Sequence, residues 1–370
     1  RIHVSARLAG SICFILFAIG RMGLVLYLPA LAFSTVTGTP LWLAIVVMGS
    51  VITVYTVVGG MKAVIWTDAI QVVIFILGAF FTLGYIFRDL GTVNFLDIAI
   101  QHNKFRTVIP EFDPTKIVTL WLILETIFQT VRIYGTQQDM TQRYLTTPSV
   151  KEANRSVWIA IMAYIPLGFI FYFLGTALFA FYKANPAVNL PGKADPMYPH
   201  FVVNHLPPGV AGLVIAAVFA AAMSSIDSVM NSSSTVCVED FIKRFARKER
   251  SDAHYLRIAR WLTVFWGAAA VLMALSFMHI RYAQIVWGKV MGISTNGILG
   301  LMALAFLPIR VNKWAAGAGF VCSYAALFLM MGAGVNFLLW PVVGNLTCFF
   351  VGLFLNPLFS AVDPPPETAA

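Results

Sequence analysis

Between Ala220 and Ser234 the chain reads Ala-Ala-Ala-Met-Ser-Ser-Ile-Asp-Ser-Val-Met-Asn-Ser-Ser-Ser. At about 3.6 residues per turn, Ala221, Ser224, Ser225, Ser228 and Ser232 fall on one helix face, with Asp227 and Asn231 at its borders. Two uses fit such a face. Small residues let helices approach closely, and serine hydroxyls bond back to their own helix. Alternatively, hydroxyls and carbonyls freed at a broken neighbouring helix supply the oxygens a hard alkali cation takes, without burying a large fixed charge.

Two further stretches carry polar groups into apolar surroundings. In Gly59-Gly60-Met61-Lys62-Ala63-Val64-Ile65-Trp66-Thr67-Asp68, followed by Gln71, a tight Gly-Gly turn precedes a carboxylate carried one turn into a hydrophobic run. Asp68 is either an N-terminal-turn acid favoured by the helix dipole or, beside the serine helix, a cation ligand. From Glu125 the chain turns polar after an apolar start: Thr126, Gln129, Thr130, Arg132, Tyr134, Gly135, Thr136, Gln137, Gln138, Asp139. That pattern predicts a helix broken around 129–135, tolerated where it lines a cavity, or else an early exit from the membrane. Met291-Gly292-Ile293-Ser294-Thr295-Asn296-Gly297 is a softer version.

The elements that hold these residues are membrane helices. Of 370 residues, 59% are hydrophobic and 11% charged, and the mean hydropathy is +0.81. A soluble domain carries about 25% charge, so a water-soluble enzyme, a disordered chain and a nucleic-acid binder are excluded. Apolar runs predict an all-α membrane fold of about ten spans. They cover 8–34, 40–59, 64–88, 115–138, 156–182, 208–238, 258–279, 283–308, 314–334 and 337–357. Lys and Arg in the connections divide 15 to 7 between the two sides. The richer side, which holds Arg7, Arg143 and the run from Lys243 to Arg260, is expected to be cytoplasmic, with both ends of the chain there. Most of the net charge of +9 is then topological.

Charges inside spans or near their ends are costly and mark functional sites by default. They are Arg21, Asp68, Glu125, Arg132, Asp139, Asp227 and Lys289; the alternative is that they pair and hold helices together. Arg21 and Arg132 suit an anionic solute, because a guanidinium grips a carboxylate through two parallel bonds. The six histidines are scattered outside the span cores, which leaves a membrane enzyme without clustered groups. The four cysteines show neither zinc spacing nor a disulfide framework.

The glycine-rich segment 59–68 with Gln71, Gln138 with Gln142-Arg143-Tyr144-Leu145, and Ala221-x-x-Ser224-Ser225 followed by Asn231-Ser232 resemble, in this order, the sodium/solute symporter family. That family includes sodium–glucose, multivitamin, monocarboxylate and bacterial sialic-acid transporters; the motifs are nearest to the bacterial members. The resemblance implies a LeuT-type five-plus-five inverted repeat, with the ten spans as helices three to twelve and the chain truncated at its N-terminus. On that plan 1–88 completes the first repeat, 89–114 is an outer loop, 115–308 is the second repeat, and 309–370 holds two accessory spans and a cytoplasmic tail.

The resemblance implies that the Ala221 carbonyl and the Ser224 and Ser225 hydroxyls bind sodium, the coupling ion. Asp68, Ser224 and Ser228 match a second sodium site of some members. There Asp227 replaces a neutral hydroxyl residue, so two carboxylates either bind the ion more tightly or share a proton. Arg21 matches an arginine facing the solute in sialic-acid transporters. Gln129, Thr130, Arg132, Ile133 and Tyr134 fall along the solute-lining helix, with Tyr134 beside the aromatic gate position of sugar transporters. The expected function is sodium-coupled symport of a small organic solute across the inner membrane by a protein acting as a monomer, with the lipid bilayer as its other partner. An anionic solute such as sialic acid or a monocarboxylate, a neutral sugar or polyol, and a sensor or channel on the same fold remain open.

Overall fold

A computed structural model describes residues 2–106, 108–145, 147–186, 196–246, 250–280 and 282–362, with side chains at all of these except 59–71, 139, 142, 143, 145, 284 and 360–362. The described residues form helices joined by turns and contain no strand. In chain order the helices are α1 (Val4–Thr37), α2 (Leu41–Leu90), α3 (Thr92–Gln101), α4 (Thr119–Thr136), α5 (Gln138–Leu145), α6 (Val150–Ala184) and α7 (Met197–His205). Then come α8 (Pro208–Val236), a π-helical turn Cys237–Ile242 leading into α9 (Lys243–Phe245), and α10 (Asp252–Ser276). The chain closes with α11 (Ala283–Ser294), α12 (Ile298–Phe306), α13 (Lys313–Gly332) and α14 (Trp340–Val362).

Local signals set several ends. Ser149 caps α6 by accepting the Glu152 amide at 3.3 Å, half of a capping box. α8 starts with Pro208 in its first turn, where the missing N–H costs no hydrogen bond. Gly38 closes α1 in the left-handed region, φ 69°, returning its N–H to Ser34 O.

Among the described residues, eight helices are long and apolar enough to cross a membrane, and the bent pair Ile285–Ser294 and Ile298–Phe306 makes a ninth. Nine of the ten expected spans are thus met. The remaining one, 115–138, is α4, whose 18 residues turn polar in their second half. α2 carries two of the apolar stretches, Leu41–Val58 and Val72–Leu90; the expected turn at Gly59-Gly60 and Asp68 fall within 59–71, outside the residues whose side chains are described.

One body packs α1, the first half of α2, α8 and α10 around Met22, Leu26, Ile45, Ile52, Ile226 and Met230, all 0–2% exposed. Its helices interlock closely: Gly23 lies under Met273, Gly49 under Val271 and Gly267 under Thr53. A second body gathers the later half of α2 with α3, α6, α7 and the start of α8 around Ile86, Phe95 and Phe201. The third is α12 with α13 and α14, around Leu304, Ala316 and Cys348. Outward-facing Trp158, Ile159, Ile165, Phe169 and Tyr172 of α6 make a surface suited to hydrocarbon rather than water.

At the basic end of the bundle Arg7 ties α1 to the π-helical turn, its Nε donating to Asp240 Oδ1 at 2.6 Å, and Ser11 donates to the same carboxylate. At the opposite end, the loop before α4 is pinned by Trp121 Nε1–H to Asp113 O (2.9 Å) and Asn336 N–H to Pro114 O (2.8 Å). Hydrogen bonds from the Thr115 hydroxyl and amide, then Lys116, pull the Asp113 carboxyl down to about 2. Because its folded value lies below the unfolded one, this anchor is complete above about pH 4 and is lost as the pH falls toward 2. Hydrogen exchange at the Thr115 amide is therefore expected to stay slow to about pH 4 after correction for intrinsic rates; early loss of protection on acidification from neutrality contradicts this.

The expected break around 129–135 is corrected. α4 runs unbroken to Thr136, and the break falls at Gln137, extended at φ −79° and ψ 132°. The polar groups of α4 find partners without unwinding it: Thr136 Oγ1 donates to Arg132 O (2.8 Å) and Gln129 Nε2 reaches Met291 Sδ (3.6 Å). The softer site is broken as well. α11 and α12 meet at 40° across Thr295–Gly297, where Gly297 takes φ 75°, a value an L side chain rarely adopts.

Candidate functional site

α8 presents its hydroxyl face as the sequence predicts. Ser224 Oγ and Ser225 Oγ both donate to Ala221 O, each at 3.1 Å. One carbonyl and two hydroxyls are therefore gathered within a single turn, all on half-buried residues. Ser228 continues the face and donates to Ser224 O at 3.0 Å. The back-bonding arrangement and an ion site use the same atoms: an ion that takes these oxygens displaces hydroxyl protons from Ala221 O and leaves the helix unaltered. Hard oxygens carrying no fixed charge suit a monovalent cation.

Asp227 is completely buried. Its carboxylate accepts from Tyr55 of α2 and from Ser228 Oγ at 3.3 Å, while the Tyr55 hydroxyl also lies 3.4 Å from Met223 O. A buried carboxylate needs such donors, since ionised oxygen out of water is costly. Tyr55 is a site residue that the sequence reading missed. Its partner lies 172 positions away, and no local pattern joins the two.

Arg132 on α4 is 4% exposed. Its guanidinium carbon lies 5.1 Å from the centroid of the Phe17 ring, a cation–π distance. Phe17 and Arg21 are four residues apart on α1 and share a face, so Arg21 lies one turn from the ring that carries Arg132. That face also meets α11: Trp287 packs on Phe17 at 5.4 Å and Val290 covers Gly20. Gln129 joins the group through Met291 of α11. Thr130, Ile133 and Tyr134 are half-buried. The chain folds back after Gln137, so that the Tyr144 hydroxyl donates to Tyr134 O at 3.1 Å.

Arg21 stands near the middle of α1. Asp227 lies thirteen residues, about 20 Å of helix, from Asp240, and Arg21 lies ten, about 15 Å, from Ser11; Ser11 and Asp240 are hydrogen-bonded. By the same measure the Ala221, Ser224 and Ser225 oxygens lie about 22–28 Å from Asp240, so the oxygen cluster sits farther from the basic face than Arg21. An apolar cavity of about 520 Å³ opens beside Ala221, between α1 (Val25, Leu28), α6 (Leu174), α7 (Tyr198) and α8 (Val214, Val218).

The sequence pattern of the Sodium:solute symporter family matches residues 4–322. The chain is 31% identical to the sodium/sialic acid symporter SiaT of Proteus mirabilis, over 97% of this chain and 74% of that protein. It is 31% identical to the sodium/sialic acid symporter NanT of Aliivibrio fischeri, covering 97% and 72%. With the human sodium-coupled monocarboxylate transporter 1 it shares 31% identity over 91% of this chain and 56% of the relative. A solved structure of a Na+-coupled sialic acid symporter, in its substrate-bound outward-open state, superposes with a TM-score of 0.84 at 30% identity, covering 97% and 75%.

Proposed function

The chain belongs to the sodium:solute symporter family, and from that membership we propose that it carries a small organic anion, of the sialic-acid or monocarboxylate kind, together with sodium. Coupled symport by alternating access follows from the family and the fold. The observation that supports an anion is the buried Arg132 guanidinium over the Phe17 ring of α1, one helical turn from Arg21. A carboxylate bridged between the two arginines is held by charge-assisted bonds.

In this reading the Ala221 carbonyl and the Ser224 and Ser225 hydroxyls hold one sodium ion, and Asp68, Ser224 and Ser228, with Asp227 beside them, form a second cation site. Gln129, Thr130, Ile133 and Tyr134 line the solute path on α4. The basic face is cytoplasmic, the membrane is the inner one and the protein works as a monomer. The division into 1–88, 89–114, 115–308 and 309–370 belongs to the same reading. Sodium favours the outward-open state because it binds that state better. Coupling is reciprocal, so sodium raises solute affinity and solute raises sodium affinity by the same factor.

The test is uptake into proteoliposomes of sialic acid, lactate and glucose, in sodium against choline. Sodium-driven uptake of an anion is expected, falling about tenfold or more in Arg21→Ala and in Arg132→Ala. If both variants take up the carboxylates at the parent rate, the anion reading is wrong. Glucose as the sole solute transported would make the protein a sugar symporter.

A further inference from the structure

The outward side of the first body carries a groove that the sodium and solute sites do not use. It lies between the first half of α2 and α10, encloses about 400 Å³, and its lining includes Gly49, Thr53, Val58, Val264, Gly267 and Val271. Gly49 meets Val271 and Gly267 meets Thr53, so the two helices run antiparallel and the groove extends from the Gly49 level toward Val58 and Val264. Its rim is apolar and open: Val54, Val58, Val264 and Phe265 are 40–82% exposed. From Gly49 to Val58 it spans nine residues, about 14 Å of helix, close to half of a hydrocarbon core about 30 Å thick. The groove has the depth of one leaflet.

At the end nearer the basic face, the groove runs onto charge. Arg257, Arg260, Val264, Gly267 and Val271 follow one another at three- and four-residue spacing, so they share one face of α10. Both arginines are exposed, and Arg260 lies one turn, about 6 Å, beyond Val264. Trp261 beside them is 70% exposed, and tryptophan is enriched where hydrocarbon gives way to headgroups. Neighbouring Lys243 is taken up by Glu239 and by the Tyr255 ring. We propose that the α2–α10 groove binds an anionic phospholipid of the leaflet at the basic end. One acyl chain lies along Gly49, Thr53 and Gly267, and the phosphate accepts hydrogen bonds from Arg257 and Arg260. A guanidinium holds phosphate through two parallel bonds, and basic residues just beyond the hydrocarbon attract anionic lipid. The site is separate from the Arg132 region, and the inference stands on the membrane fold alone.

For the purified protein in detergent, phosphatidylglycerol is expected to raise the melting temperature more than phosphatidylcholine does, and inorganic phosphate is expected to leave it unchanged. Arg257→Gln together with Arg260→Gln is expected to raise the half-saturating phosphatidylglycerol concentration about tenfold or more. Lys151→Gln together with Arg155→Gln removes the same charge from exposed positions on α6 and is expected to respond as the parent does. Ala268 also lines the groove; Ala268→Phe fills it with both arginines intact and is expected to weaken phosphatidylglycerol as well. An equal rise with the two lipids, a rise with inorganic phosphate, or equal losses in the two paired variants overturns the inference, and so does parent-like phosphatidylglycerol affinity in Ala268→Phe. None of these outcomes bears on symport, which the uptake panel tests separately.

Discussion

Alanine at both Ser224 and Ser225 is expected to lower sodium affinity by more than about a hundredfold, since each hydroxyl that bonds an ion contributes about 1.5–3 kcal/mol. The two hydroxyls converge on Ala221 O at 3.1 Å, and their removal leaves one carbonyl where three oxygens stood. The helix should persist, because alanine is the best helix former and the lost bonds are local ones to the preceding turn. A double variant that is as stable as the parent in choline but no longer stabilised by sodium, and whose uptake no longer responds to it, is the anticipated result. Ser234→Ala is the matched comparison. Its hydroxyl bonds Met230 O at 2.9 Å and Thr263 Oγ1 at 3.1 Å, inside the first helix body, so its loss affects packing and not sodium. If the double variant keeps the parent's half-saturating sodium concentration, the oxygens of this turn are not the ion's ligands.

Gly344→Ala is expected to be the most damaging single methyl addition in the third body. A Cβ at 344 would overlap the Asn296 side-chain amide, and Asn296 is fully buried at the α11–α12 break. Asn296 has little freedom to retreat: its Nδ2 donates to Ser323 Oγ at 3.2 Å, and Gly297 beside it is fixed at φ 75°. Overpacking against an immovable group costs about 3 kcal/mol or more. The measurement is thermal unfolding of the purified protein in detergent, read against Gly317→Ala. A Cβ at Gly317 meets nothing within 4 Å, so that change should be neutral or slightly stabilising in a helix. Asn296→Ala in the Gly344→Ala background should recover much of the loss, the non-additivity expected of neighbours in contact. Equal melting temperatures for Gly344→Ala and Gly317→Ala would show that the α12–α14 junction is looser than described.

The spans were legible because hydrophobic length alone decides them, and the apolar windows of α1, α8 and α10 needed no tertiary information. The serine face was legible for a similar reason, since helical periodicity fixes which residues share it. The break in α4 was misplaced by a few residues because polarity was read as an unwinding signal. In the fold, Gln129 and Arg132 spend their polarity on Met291 and Phe17, contacts made with other helices. Gln137 breaks the chain for a reason no window reveals: the turn back that brings Tyr144 onto Tyr134 O. Tyr55 was invisible for the same cause. Its chemistry exists only once α2 lies beside α8, and in sequence it is one aromatic among many.

The glycine seats of the first body bear on where movement is possible. With Gly23 filled by Met273, Gly49 by Val271 and Gly267 by Thr53, α1 and the first half of α2 are both keyed into α10 and have little slack to slide along it. In the proposed reading, the work of an ion arriving at Ser224 and Ser225 is then little absorbed as deformation of that frame. It is delivered to whatever leans on it: α4 through the Phe17 ring, and α11 through Trp287 and Val290. Both of those helices end at a discontinuity, Gln137 in one and Thr295–Gly297 in the other. In that reading a stiff body beneath two jointed helices would turn a small displacement at the ion into a larger one at their far ends.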